Sequence, residues 1–169
     1  PIASKKGLEF EVNVDENLPA ELYGDVGKIR QVMVNLLNNA VKYTNEGKVT
    51  LTVRGNLVND NINLKIKIKD TGIGIKEENI EKLFADFERV DTEKNKDIEG
   101  TGLGLAIVNR LIQYMGGRIK VTSEYGKGST FSVCVPQKII DRRAIGDYKM
   151  ALEAVEISEE GIRTAGFVA

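Results

Sequence analysis

The sequence predicts an α+β fold, a two-layer sandwich in which a mixed β-sheet is covered on one face by about three helices. Segments that alternate apolar and polar residues come in neighbouring pairs without a helix between them. Other segments repeat apolar residues at helical spacing, so each has one face with which to cover a sheet. Paired strands with separate helices favour this architecture over a doubly wound sheet, in which strands and helices alternate.

The chain opens with a predicted half-buried strand at residues 8–14, where every second residue is apolar. The sequence Asn17-Leu18-Pro19 interrupts this strand. A long helix is predicted at residues 26–44, with Asp25 as its N-cap and Gly47 just beyond its end.

The long helix has one apolar face, and a set of polar residues lies beside that face. Asn35, Asn39 and Lys42 are three or four residues apart, so a helix places them together. Asparagine is a poor helix former, and two on one face in a helix centre indicate the wall of a site. The alternative is that both are simply solvated. The apolar positions are Ile29, Val32, Met33, Leu36, Leu37 and Ala40.

Two strands, at residues 49–53 and 62–68, are predicted to form a hairpin through the polar turn at 56–61. In the second strand, aliphatic residues alternate with lysines. We therefore expect the aliphatic side to lie in the core and the lysine side to face solvent.

The second half of the chain repeats these patterns. It holds a short helix near 77–84, a charged loop at 90–99, a helix with its buried stripe at 105–115 that Gly116-Gly117 stops, and two strands near 119–121 and 131–135 joined by a turn at 125–128.

The pattern changes at Gln137. Asp141-Arg142-Arg143 is polar, and Asp147–Glu160 has the pattern of a helix with weak amphipathicity. We predict one domain at 1–136 and a linker or peripheral helix at 137–169, leading toward a receiver domain.

The composition excludes several kinds of site. The 169 residues are 41% hydrophobic and 29% charged, and the net charge of −1 gives no sign of a general nucleic-acid surface. A single cysteine, Cys134, excludes an internal disulfide or a cysteine-rich zinc site. The sequence contains no histidine, the commonest general base and metal ligand. No apolar run is long enough to cross a membrane, and no signal peptide is visible.

The segment Asp70-Thr71-Gly72-Ile73-Gly74-Ile75 follows a buried strand directly. A carboxylate there can accept a hydrogen bond from the amino group of adenine, where guanine has an oxygen. Glycines let a flat ring approach the backbone. An ordinary turn is the alternative, because Asp-x-Gly is common.

Gly100, Gly102 and Gly104 come directly before a predicted helix. Free N–H groups at a helix N-terminus make a good phosphate cradle. Lys42 and Arg89 would neutralise phosphate charge, and the amide oxygen of Asn39 suits Mg²⁺. The spacing matches neither a Walker A loop nor a dinucleotide fingerprint in its proper context.

Four stretches in this order resemble the catalytic ATP-binding domain of sensor histidine kinases. The N box is at 35–44, the first glycine box at 70–74, the F box at 84–89 and the second glycine box at 100–105. Thr130, in Gly-Ser-Thr-Phe, resembles a family threonine near the adenine. The likeness covers about residues 8–136.

The resemblance implies a Bergerat ATP-binding fold that binds ATP and Mg²⁺. Asn39 would be the magnesium ligand, with Asn35 beside it. Asn35, Lys42 and Arg89 would serve catalysis, and residues 88–103 would form a lid. The expected nucleotide contacts are Asn35, Asn39, Lys42, Tyr43, Asp70, Gly72, Gly74, Ile75, Phe87, Arg89, Gly100, Thr101, Gly102, Leu103, Gly104, Leu105 and Thr130.

The resemblance also implies a function. It predicts an enzyme, a protein histidine kinase, that transfers the γ-phosphate of ATP to a histidine in two-component signalling. The chain has no histidine, so we expect a fragment whose partners are a histidine-bearing dimerisation domain of the same kinase and a downstream response-regulator receiver domain. The full protein would be a homodimer and the fragment a cytoplasmic domain, with a membrane-anchored sensor as one setting.

Two alternatives remain open. One is a non-catalytic ATP-binding regulatory module, although none of the four boxes is broken. The other is a hydrolytic ATPase of the wider superfamily. Those proteins have a water-activating glutamate four residues before the magnesium asparagine, and this chain has Asn35 there.

Overall fold

A six-stranded sheet dominates the computed structural model, which describes residues 7–88 and 102–146, without the side chains of 84–88 and 102–104. The strand order is β1-β3-β4-β6-β2, and β5 also pairs with β6. The strands are β1 (Glu9–Val14), β2 (Pro19–Tyr23), β3 (Lys48–Val58), β4 (Asn61–Asp70), β5 (Arg118–Glu124) and β6 (Gly128–Ala144).

The sheet is mixed. Strand β1 runs parallel to β3, and the other pairings are antiparallel. The long strand β6 pairs with β4 along one edge, and its other edge holds β5 and then β2. Strand β6 therefore connects β2 and β4, from the first half of the chain, with β5, from the second half.

Within the described residues, three helices cover one side: α1 (Val26–Tyr43), α2 (Glu77–Glu88) and α3 (Gly102–Tyr114). The predicted N-cap of α1 is confirmed, because the Asp25 carboxylate accepts a hydrogen bond from the Lys28 backbone N–H at 3.1 Å. The predicted stop of α3 is confirmed as well. Gly116 has a φ of +73°, and the Gly117 N–H donates to the Ile112 carbonyl at 2.8 Å, which closes the helix with a Schellman turn.

The core lies between the helices and one face of the sheet, so the predicted fold class is confirmed. Strand β4 shows the division, because its aliphatic residues are buried and Lys65, Lys67 and Lys69 are exposed. The core includes Val32, Leu36 and Ala40 of α1, Ile62, Leu64, Ile66 and Ile68 of β4, Leu105, Val108 and Ile112 of α3, and Phe131, Val133 and Val135 of β6.

The predicted hairpin turn at 56–61 is shorter, because β3 continues to Val58 and β4 begins at Asn61. The structure also differs from the sequence-based expectation in three larger respects. Strand β2 falls where Pro19 was expected only to interrupt the chain. It is a short edge strand with register shifts, and such a strand tolerates a proline that cannot donate a hydrogen bond. Helix α2 continues to Glu88, four residues beyond its expected end.

The third difference is the end of β6, which was expected near Val135. The strand continues to Ala144, because β2 supplies a further edge with which it can pair. Residues 137–144 are therefore strand rather than linker or helix. The expected helix at 147–160 and the loop at 90–99 lie outside the described residues. Among the described residues, no helix is long and apolar enough to cross a membrane.

Candidate functional site

A cavity of about 470 Å³ lies on the helix side of the sheet. Its volume is in the range of small-molecule binding sites. It opens between the end of α1, the end of β4, the loop that follows β4, helix α2, the start of α3 and the turn between β5 and β6. The lining residues are Asn39, Ala40, Tyr43, Asp70, Ile73, Gly74, Ile75, Lys76, Glu78, Asn79, Leu83, Leu105, Tyr125, Ser129 and Phe131.

Asp70 is the buried charged group of this cavity, with 5% of its surface exposed. Its Oδ1 accepts a hydrogen bond from the Gly72 N–H at 2.9 Å. Burial raises the pKa of the Asp70 carboxyl above its ordinary value, and backbone hydrogen bonds from Gly72 and Ser129 oppose that rise. A carboxylate held among aliphatic and aromatic walls is a strong selector for a ligand that offers a hydrogen-bond donor.

The loop after β4 is fixed from both sides by its own backbone. On one side, the Ile73 N–H donates to the Tyr43 carbonyl at the end of α1, at 3.1 Å. On the other side, the Ile73 carbonyl accepts from the Gly126 N–H at 2.7 Å. The cavity floor is therefore tied to both α1 and the β5–β6 turn.

Ser123 ties the same loop to β5 and β6, and the sequence analysis missed it. Its Oγ accepts from the Ile75 N–H at 2.8 Å and lies 2.9 Å from the Gly128 carbonyl, to which it donates. The Ser129 hydroxyl oxygen lies 2.8 Å from the Ser123 Oγ, and the two hydroxyls are hydrogen-bonded to each other. A serine in a strand is an ordinary residue, and no local signal in the sequence distinguishes it.

The two glycines of the loop are required for packing within the protein, which differs from the expected reason. A side chain at Gly72 would meet the Tyr43 carbonyl oxygen at the end of α1. A side chain at Gly74 would meet the Glu124 carbonyl, and its φ of +70° also disfavours other residues. Gly74 lines the cavity, whereas Gly72 does not.

Helix α1 supplies the polar wall. Asn39 and Tyr43, one turn apart, both line the cavity. Asn35 is one turn earlier, half-buried, and is not among the lining residues. Lys42 is exposed, and its Nζ lies 5.6 Å from the centre of the Tyr43 ring. Of the three polar residues predicted to share one face of this helix, at 35, 39 and 42, the middle one, Asn39, thus lines the cavity.

The expectation for Thr130 needs a correction. In the ladder between β4 and β6, Ser129 lies opposite Asp70 and Thr130 lies opposite Lys69. Successive residues of a strand point to opposite faces. Ser129 is therefore buried in the cavity, and Thr130 is on the far face of the sheet with the lysines. The residue that faces the cavity is one position earlier than the expected threonine, because a shift of one residue along a strand moves a side chain to the other face of the sheet.

The cavity brings together six of the residues expected to contact a ligand: Asn39, Tyr43, Asp70, Gly74, Ile75 and Leu105. Arg89, Gly100 and Thr101 lie outside the described residues, and so do the side chains of Phe87 and Leu103. Gly102 and Gly104 lie in the first turn of α3. The lid expected at 88–103 falls almost wholly outside the described part of the chain.

Several cavity residues were not anticipated. Lys76 directly precedes α2, Glu78, Asn79 and Leu83 lie on α2, and Tyr125 comes from the β5–β6 turn. The sequence placed these residues in a helix and a turn without indicating which of their sides meets Asp70.

A family model described as "Histidine kinase-, DNA gyrase B-, and HSP90-like ATPase" matches residues 24–139. The chain belongs to this ATPase family. The match covers most of the chain, from the cap of α1 into the extended part of β6. The cavity residues and all four sequence boxes lie within it.

Relatives in this family are sensor kinases. The chain is 42% identical over 135 residues to hybrid signal transduction histidine kinase B of Dictyostelium discoideum, and 42% identical over 134 residues to the aerobic respiration control sensor protein ArcB of Escherichia coli. These matches cover 78% and 79% of this chain. The chain spans only 7% and 17% of the length of these relatives.

Solved structures agree. A crystal structure of full-length ShkA in complex with AMPPNP matches with a TM-score of 0.67 and 34% identity, over 83% of this chain and 28% of that one. The nucleotide-free catalytic domain of the histidine kinase ThkA matches with a TM-score of 0.57 and 27% identity, over 79% of this chain and 82% of that one. The resemblance to the catalytic ATP-binding domain of sensor histidine kinases is thus confirmed.

Proposed function

We propose that this chain binds Mg-ATP in the cavity beside Asp70 and transfers the γ-phosphoryl group to a histidine on a separate segment. The observation that carries the proposal is the buried Asp70 carboxylate in an otherwise largely apolar cavity of about 470 Å³. The family and the AMPPNP complex of the related ShkA support ATP as the ligand.

The base would be read by Asp70. A carboxylate accepts hydrogen bonds, and the amino group of adenine donates one. Guanine presents an oxygen at the equivalent position, so binding it would leave two acceptors facing each other in a buried site. Ile73, Ile75 and Leu105 line the cavity and offer the ring apolar contacts.

The phosphates would lie toward α1. Asn39 lines the cavity, and no hydrogen bond to its side chain is found within residues 7–88 and 102–146. An amide oxygen with unused hydrogen-bonding capacity fits Mg²⁺, which prefers oxygen ligands and is commonly shared with nucleotide phosphates. When bound, the metal offsets the charge of the phosphates. Lys42 would add a positive charge close by.

Phosphoryl transfer to a side chain fits the chain better than hydrolysis. Asn35 carries an amide where a water-activating carboxylate would be needed, and an amide is a poor base. Glu78 is a carboxylate that lines the cavity, but it lies on α2 and not on α1, where Asn35 occupies the position of the water-activating residue. The acceptor has to come from elsewhere, because the sequence contains no histidine.

The wider setting follows from the relatives. The acceptor would be a histidine-bearing dimerisation domain of the same kinase, the downstream partner a response-regulator receiver domain, and the full protein a homodimer. The fragment would act in the cytoplasm.

The test is a titration of the chain with Mg-ATP, with Mg-GTP as the control ligand and free phosphate measured in the same samples. Saturable binding of ATP, weak binding of GTP and no steady release of phosphate are expected. Steady release that Glu78→Gln abolishes would make the chain an ATPase. Absence of ATP binding would contradict the proposal.

Transfer itself is tested by adding the histidine-bearing segment of the longer protein with ATP labelled at the γ-phosphate. An acid-labile, base-stable label on that segment is expected. Binding of ATP without any label on the segment would refute the kinase activity alone.

A further inference from the structure

The face of the sheet that points away from the helices is strongly basic. Register places Arg54 opposite Lys65, Lys65 opposite Cys134, and Cys134 opposite Arg118. The next row runs through Thr52, Lys67, Ser132 and Lys120. The exposed cations on this side together form a surface that we call the basic face: Arg54, Lys65, Lys67, Lys69, Arg118, Lys120 and Lys138.

These seven cations share one continuous surface. Neighbouring strands are about 4.8 Å apart and alternate residues of a strand about 7 Å apart, so the basic face is roughly 15 Å wide and 27 Å long. Arg54, Lys65, Lys67 and Lys69 follow one another at about 5–7 Å, within the Debye length of about 8 Å at physiological ionic strength, so their potentials add. Arg118 and Lys120 lie about 10 Å from the β4 lysines, across β6, and Lys138 lies further along β6.

Carboxylates are kept to the margins of this surface. Within the described chain, the outward positions of β3, β4 and β6 carry no Asp or Glu. Glu9 and Glu11 are on the outer strand β1, where Glu11 pairs with Lys48, and Glu124 at a corner pairs with Lys127. Glu21 is exposed on the other edge strand, β2. The chain as a whole has a net charge of −1, so the basic face is a local concentration of positive charge.

One end of the same face is apolar. Tyr23 lies opposite Lys138 in the ladder between β2 and β6, and is 63% exposed. Ile140 is two residues further along β6, on the same face, and is 51% exposed. We call Tyr23 and Ile140 the apolar end. Residues of these types are suited to the boundary between lipid headgroups and acyl chains.

We propose that the basic face and the apolar end dock the domain on a bilayer surface that contains anionic phospholipids. Mobile headgroups can gather beneath scattered lysines without a matching shape, and each cation near such a surface contributes to binding. A folded protein partner would favour an apolar centre with few lysines. Single-stranded nucleic acid would favour aromatic platforms, and the outward positions of β3 to β6 have none.

This docking is compatible with nucleotide binding. The cavity is lined by residues of the helices and of the inward positions of β4 and β6, such as Asp70 and Phe131. The basic face is on the opposite side of the same sheet. A domain whose basic face lies on a membrane would keep the cavity open to the solvent. Binding to the membrane and binding of nucleotide can therefore be measured independently.

The first test is sedimentation of the 169-residue chain with vesicles of phosphatidylcholine alone, or with about one third phosphatidylserine. The triple variant Lys65→Gln, Lys67→Gln, Lys69→Gln is compared with a control that removes three cations from the helix side, Lys28→Gln, Arg30→Gln and Lys82→Gln. We expect binding to the anionic vesicles only, weakening with added salt. The first triple should lower the partition coefficient roughly 100-fold, about fivefold for each cation, and the control triple less than fivefold.

The second test locates the contact. The protein has no tryptophan, so Tyr23→Trp provides a single fluorescent reporter at the apolar end. Tyr114→Trp is the matched control, because Tyr114 is 77% exposed and lies at the end of α3. Anionic vesicles should shift the emission of the Tyr23→Trp protein to the blue and leave that of the Tyr114→Trp protein unchanged.

Three outcomes would overturn the proposal: no binding of the wild-type chain to anionic vesicles, equal losses in the two triple variants, or a blue shift only at position 114. Binding of polyglutamate or of single-stranded DNA by the basic face, without binding to vesicles, would also refute it. Thermal unfolding and the affinity for Mg-ATP should be unchanged in the first triple variant, which separates lost docking from lost folding.

Discussion

Replacement of Asp70 by asparagine removes the buried negative charge of the cavity and weakens the acceptor of the backbone hydrogen bonds from Gly72 and Ser129. The side chain keeps its size, and the asparagine Oδ1 can still accept the hydrogen bond that Gly72 donates at 2.9 Å in the wild-type protein. The other carboxylate oxygen becomes an NH₂ group, which donates where the proposed adenine also donates.

The expected loss of affinity is large. A hydrogen bond to a charged group is worth about 1.5–3 kcal/mol, and a buried donor left without an acceptor costs about 1–3 kcal/mol more. Together these give about 2.5–6 kcal/mol, which corresponds to a loss of roughly 60-fold to 20,000-fold in the affinity for ATP. Binding of ATP would be abolished at ordinary assay concentrations.

The same substitution should not destabilise the fold. Burial raises the pKa of Asp70 in the folded state, so the folded protein binds the proton more tightly than the unfolded chain does. Stability from this group is complete below the unfolded pKa of about 3.9 and is lost as the pH rises through the raised folded pKa. Asp70→Asn should therefore unfold at the wild-type temperature or above it near pH 7.

The assay is calorimetric titration with Mg-ATP together with thermal unfolding between pH 3.5 and 7.5. Asp60→Asn is the matched control, since Asp60 immediately precedes the other end of β4 and forms an exposed ion pair with Arg142. Such a pair contributes little, and we expect wild-type affinity. An unchanged affinity for ATP in Asp70→Asn would refute the adenine-reading role. A lower unfolding temperature near pH 7 would refute the stability reasoning.

Three further substitutions test other parts of the site. Asn39→Asp should alter the dependence of ATP binding on the Mg²⁺ concentration, and a wild-type magnesium titration would count against metal ligation by Asn39. Ser123→Ala leaves the Ile75 N–H without its acceptor, so urea unfolding should show a loss of about 1–3 kcal/mol, and ATP binding should weaken because the cavity floor loosens. Gly74→Ala places a methyl group against the Glu124 carbonyl at a φ of +70°. It should destabilise the fold by more than about 1 kcal/mol, as measured by the same unfolding experiment, and a neutral result would mean that the β5–β6 turn yields.

The sequence alone predicted the features whose signals are local. The helix at 26–44 follows from its cap and its apolar period, and Val26–Tyr43 confirms it within one residue. The four boxes predicted the family, because motifs are recognised from residue types and their order along the chain, without knowledge of the fold. Asp70 was identified in this way, and the structure shows that it is buried, which is the basis of the selectivity proposed for it.

Tertiary structure decided what depends on residues that are distant in sequence. Because β6 pairs with β2, it continues as a strand beyond the expected linker boundary. The register between β4 and β6 places Ser129, and not Thr130, on the face of the sheet that lines the cavity. Ser123 holds the loop only because folding brings it to Ile75. The alternation in β4 predicted an outward row of lysines, but only strand pairing sets Arg54 and Arg118 beside that row. A periodicity determines which side of its own element a residue occupies, whereas neighbours across a sheet are determined by registers that the whole chain folds to satisfy.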